Sequence, residues 1–188
     1  MTIKELFAPS DMTVGKPWEK IVIFTIPMLI GNIAQQLYNT VDAIIVGRFV
    51  GKQALAAVGG PTGTVINLLI GFFVGLSSGA TVIISQYYGA KREEMVGYAV
   101  HTAITASVIS GAVLMVIGFV GAPFALNAMG TPEDIVGFAT LYMRIYFLGT
   151  IANLIYNIGS GILRAVGDSK RPLYFLIASC FANIILDI

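Results

Sequence analysis

Long apolar runs joined by short polar links dominate the chain. Residues 21–46, 62–87, 96–120 and 135–163 each form a run long enough to cross roughly 30 Å of hydrocarbon as a helix. A fifth run starts near Pro172 and is still apolar at Ile188, with no cap, glycine stop or charged flank, so it reads as a helix cut short. The runs lack the strict alternation of membrane strands. Links as short as the one spanning 89–94 imply antiparallel neighbours. The segment 123–130 is expected to form a short interfacial helix. The predicted fold class is all-α and integral to the membrane: an antiparallel transmembrane helix bundle behind a polar tail at 1–20, with the bundle occupying 21–188.

Composition agrees with that reading. Hydrophobic residues make up 56% of the 188 positions and charged residues 11%, against roughly 25% charged in soluble domains, and the mean hydropathy is +0.84. So few charges cannot coat a soluble globule, which sets aside a soluble enzyme or a disordered chain. A net charge of +1 offers no basic field for nucleic acid. The lone Cys180 excludes an internal disulfide framework.

Charge also gives direction. Lys4, Lys16, Lys20, Lys91, Arg92, Arg164, Lys170 and Arg171 fall on one side of the spans, and only Arg48 and Lys52 on the other. Eight against two puts the N-terminus in the cytoplasm. Arg144 lies within the fourth run and is left out of this count. The tail lacks the apolar core and cleavage site of a signal peptide, and Trp18 suits the membrane interface.

The candidate chemistry lies in hydrophilic residues set inside apolar runs. In the first, Asn32, Gln35, Asn39 and Asp42 fall within an arc of about 80°. Facing lipid, each would cost several kcal/mol, so the ladder must face protein or a wet cavity. Asp42 is either a cation- or proton-binding group of that cavity, or a carboxylate near the outer interface that is hydrated or paired with Arg48. Ser179, Asn183 and Asp187 share a face of the fifth run. Asn183 and Asp187 offer the neutral and anionic oxygens that hard cations take; alternatively, Asp187 simply ends its helix at the outer surface. The fourth run carries a stripe of Tyr142, Tyr146, Gly149, Asn153, Asn157, Ser160 and Arg164, expected at a helix–helix interface, where Asn153 or Asn157 can also touch solute.

Other features read as packing. Gly71, Gly75 and Gly79 let another helix approach closely. Pro27 and Gly31 predict a bendable first helix. His101 stands alone, and Cys180 is a small filler. No phosphate loop, paired cysteines, HExxH or GxSxG motif occurs, so no enzyme activity or cofactor is expected.

Several segments in order carry a resemblance. NTVDAIIVGRFVG followed by ALAAVG, then GFFVGLSSGATVIISQYYGAKRE, GILRAVGDSKRPLYF and the terminal NIILDI together resemble the multidrug and toxic compound extrusion (MATE) family over nearly the whole chain. The resemblance implies about five helices of a twelve-helix, two-lobe secondary transporter, its C-terminal lobe missing here. It implies small organic, often cationic, substrates exported from a bacterial or archaeal cytoplasmic membrane in exchange for H+ or Na+. It implies an ion site at Asp42, Asn183 and Asp187, with Asn157 carried over from the fourth helix. The lipid bilayer and the missing lobe are the other partners implied. A lipid-linked oligosaccharide flippase of the same superfamily, which should show cationic cavity residues, and a non-transporting membrane scaffold are the alternatives.

Overall fold

The computed structural model describes residue 12 and residues 15–186. Among them every regular element is helical. The order is α1 (Pro17–Ile45), a π-helical turn (Val46–Val50), α2 (Lys52–Gly59), α3 (Pro61–Gly89), α4 (Glu93–Ala128), α5 (Glu133–Leu148), α6 (Thr150–Ala165) and α7 (Lys170–Leu186). The stretches Pro17–Val50, Lys52–Gly89 and Glu93–Ala128 are each long and apolar enough to cross a membrane. Helices α5 and α6 qualify together as a fourth crossing, bent by 50° at Gly149.

Two boundaries differ from the sequence expectation. Residues 123–128 continue α4 through Pro123 instead of forming a separate interfacial helix. The fourth run is two helices, because the chain breaks at Gly149, whose N–H turns back to Tyr146 O. Helix α1 runs through Pro27, as a single first span requires.

The chain forms two compact units, one of Met1–Asp42, Ala80–Val100 and Gly159–Ile188, the other of Ala43–Gly79 and His101–Ile158. In the second unit, Ala57, Ile66, Ala122, Leu126, Ala139, Met143 and Phe147 form a buried core. The short α2 packs on α5 and contributes Ala57. Two glycines set the spacing of α4 against the bent pair: a Cβ at Gly118 would overlap the Phe147 ring, and one at Gly111 would lie 2.9 Å from Ile151 Cα. By contrast, Gly71, Gly75 and Gly79 have nothing within 4 Å of a built Cβ, so no helix among the described residues uses that stripe.

In the first unit, the close approaches involve Gly31 of α1 with Leu173 and Leu176 of α7, and Gly161 of α6 with Thr81 of α3. The link from α6 to α7 is a Schellman turn: Asp168 N–H bonds Leu163 O, Gly167 N–H bonds Arg164 O, and Gly167 takes φ 87°.

Candidate functional site: the seam between α1 and α7

Gly31 is the buried residue of α1. A Cβ there would stand 3.4 Å from Leu176 Cδ2 and 3.5 Å from Leu173 Cδ1, so this face of α1 rests on α7. Three turns further along α1, Asp42 is displaced from Gly31 by only about 20°. Two turns beyond Leu176, Asn183 is displaced from it by about 20° in the same sense of argument. By this spacing Asp42 falls on the face of α1 that carries Gly31, and Asn183 on the face of α7 that carries Leu176. Asp42 is half-buried and already engaged by a neighbouring group. Asn183 Oδ1 is buried and accepts no hydrogen bond from the described residues. Asp187 lies outside the described residues.

The amide ladder divides. Asn32, Gln35 and Asn39 are exposed, unlike Asp42. Asn39 Nδ2 donates to Gln36 Oε1 at 3.3 Å, along the helix and not across it. The ladder thus forms an exposed row of amides beside the seam.

Asn153 and Asn157, in the second unit, are half-buried and satisfy each other. Asn157 Nδ2 donates to Asn153 O and Oδ1, each at 2.9 Å. Arg164 Nε likewise donates to Ser160 O at 3.1 Å. The polar stripe of the fourth run is therefore stitched along its own helix, and the bend at Gly149 separates its tyrosines from its asparagines.

Two polar residues acquire importance that spacing did not give them. Asp168 is 2% exposed. Its Oδ1 accepts the backbone N–H groups of Lys170 and Arg171, each at 3.1 Å, capping α7. Its Oδ2 stands 3.1 Å from Arg171 Nε, close enough for an ion pair although the N–H is not aligned for a hydrogen bond. An acidic residue just ahead of Lys170 is the sequence signal for such a cap. Arg144 donates from Nε to Phe119 O at 3.2 Å and covers the Phe119 ring at 5.2 Å.

This helical frame is similar to that of known proteins. The MatE family model matches residues 27–188, most of the chain. The chain belongs to the MatE family. This MatE chain is 38% identical over 169 residues to the probable multidrug resistance protein YoeA of Bacillus subtilis (strain 168), covering 90% of the chain and 36% of that relative. It is 30% identical over 181 residues to the probable multidrug resistance protein YpnP of the same strain, covering 94% and 39%. Among solved structures, a MOP superfamily transporter from Pyrococcus furiosus Vc1 (DSM3638) superposes with a TM-score of 0.86 at 31% identity, over 94% of the MatE chain and 38% of that one. The MatE chain spans less than two fifths of the length of these relatives, consistent with an N-terminal portion of the transporter fold.

Proposed function

We propose that this MatE chain is the N-terminal lobe of a multi-pass membrane antiporter, not an enzyme. It exports small organic, predominantly cationic compounds in exchange for H+ or Na+, with its N-terminus in the cytoplasm. The relatives named as multidrug resistance proteins support the substrate class. The eight-to-two bias of lysine and arginine supports the orientation.

What supports the ion site is the contact of Gly31 with Leu173 and Leu176, from which helical spacing carries Asp42 and Asn183 toward the same seam, together with Asn183 Oδ1, buried and without a hydrogen-bond donor among the described residues. Both helices start at basic residues, Lys16 and Lys20 for α1, Lys170 and Arg171 for α7, so both run outward from the cytoplasm. Measured from the Gly31 contact, Asp42 then rises about 16 Å and Asn183 about 13 Å. By this spacing the two side chains reach similar depth.

A buried amide oxygen without a donor costs about 1–3 kcal/mol. A sodium ion held by that oxygen and the Asp42 carboxylate removes the cost, as does a protonated Asp42 that donates to it. Either neutralises Asp42 and weakens the seam's hold on a cationic cargo bound along Asn32, Gln35 and Asn39; Asn153 and Asn157 are separate candidate cargo contacts. A coupling of about 1–3 kcal/mol changes affinity roughly 5- to 150-fold. A flippase for lipid-linked oligosaccharides needs cationic groups along these stripes, and Asn32, Gln35, Asn39, Asp42 and Asn183 carry none.

The test is Asp42→Asn in the whole protein, reconstituted in vesicles with an imposed proton or sodium gradient. Export of a cationic dye should lose its dependence on the gradient. Undiminished gradient-driven export removes Asp42 from the coupling.

A further inference from the structure

Arg144 is a charged side chain in an apolar run that the antiport reading leaves unused. Its setting begins with Pro123. Proline lacks an N–H, so inside α4 the carbonyl four residues earlier, Phe119 O, loses its helical donor. Arg144, on α5, supplies the replacement through Nε, and its guanidinium lies over the Phe119 ring. This is its one hydrogen bond to the described residues, and no carboxylate among them pairs with it. A carbonyl satisfies one N–H but does not neutralise the cation. The two Nη groups stay available on the opposite edge of a fixed, planar fork.

The surroundings say what that edge meets. Val116 and Val120 on α4, with Leu141, Ile145 and Leu148 on α5, are each more than half exposed. Phe119 and Arg144 lie roughly 15–18 Å short of the 129–132 link along α4 and α5, with Phe124, Phe138 and Leu141 exposed between them and that link. An unpaired guanidinium flanked by bare aliphatic side chains suits a molecule with an anionic oxygen group above apolar chains. Arginine grips phosphate through two parallel N–H bonds.

We infer that Arg144 holds the phosphate of an anionic phospholipid, whose acyl chains lie along Val116, Val120, Ile145 and Leu148. The carbonyl freed by Pro123 is the device that aims the guanidinium outward. The site is independent of the ion seam and stands or falls separately from the antiport reading.

Native mass spectrometry of the purified chain, titrated with phosphatidylglycerol, phosphatidylcholine or inorganic phosphate, tests it. One phosphatidylglycerol is expected to stay bound, with Arg144→Gln weakening it about tenfold. Equal retention by the wild type and Arg144→Gln overturns the site. Inorganic phosphate that binds as well and displaces the lipid overturns the lipid assignment. A second measurement keeps Arg144 intact: Trp18→Phe with Ile145→Trp, in phosphatidylcholine vesicles containing brominated phosphatidylglycerol or brominated phosphatidylcholine. Stronger quenching by the brominated phosphatidylglycerol is expected, and equal quenching by the two lipids overturns the proposal.

Discussion

Gly118→Ala and Gly121→Ala make the same chemical change one turn apart in α4, and the packing predicts opposite signs. At Gly118 the new methyl would overlap the Phe147 ring. That ring is 0% exposed and belongs to the core with Ala122, Leu126, Ala139 and Met143, so it has no free direction to retreat. Overpacking of this kind costs about 1–3 kcal/mol, and the gain in helix propensity over glycine returns at most about 1 kcal/mol. Because the overlap is with a ring core and not a flexible tip, the net loss should be about 1–2 kcal/mol. At Gly121 a built Cβ meets nothing within 4 Å, so only the propensity gain of up to about 1 kcal/mol remains. The two variants should therefore separate by about 1–3 kcal/mol, the overpacking cost itself. Denaturant unfolding in detergent, followed by circular dichroism, measures the difference. Adding Phe147→Leu to Gly118→Ala makes room for the methyl and should cost less than the two single losses summed. Equal stabilities for Gly118→Ala and Gly121→Ala, or strict additivity with Phe147→Leu, would refute the close approach of α4 and α5.

Asp168→Ala should weaken the start of α7 by about 2–3 kcal/mol, since it removes both capping bonds and leaves their donors without that acceptor. Asp168→Asn keeps an acceptor at Oδ1 and should lose less, the ion pair to the 58%-exposed Arg171 adding little. Limited trypsin cleavage at Lys170 and Arg171 reports the order, and equal rates for the two variants would refute the capping role. Gly167→Ala forces a Cβ into φ 87° and should cost about 1–2 kcal/mol, read as a lowered unfolding midpoint; an unchanged midpoint would mean the Schellman turn is not needed there.

Much of the frame was legible in the residues. The apolar runs at 21–46, 62–87 and 96–120 lie within long apolar helical stretches, and the family resemblance names the family that the chain belongs to. The ladder of Asn32, Gln35, Asn39 and Asp42 was readable as one stripe, yet it divides between three exposed amides and a half-buried Asp42. An 80° arc is wide enough to straddle the edge of a helix contact, and periodicity cannot say where that edge falls. Asp168 was present in the quoted link but carried no signal of burial, because burial of a loop carboxylate depends on the helices that close around it.

By itself, then, the sequence determined that the chain is helical, membrane-embedded and a MatE relative, because solvent preference and local backbone geometry act residue by residue. Tertiary structure alone decided that Gly118, Gly161 and Gly111, rather than Gly71, Gly75 and Gly79, carry the close approaches to neighbouring helices. It also decided that the fourth run bends at Gly149 and that Arg144 answers the carbonyl freed by Pro123. These depend on which helix lies opposite and at what rotation. Distant side chains settle that together by excluded volume and hydrogen-bond satisfaction, and no window of sequence contains both partners.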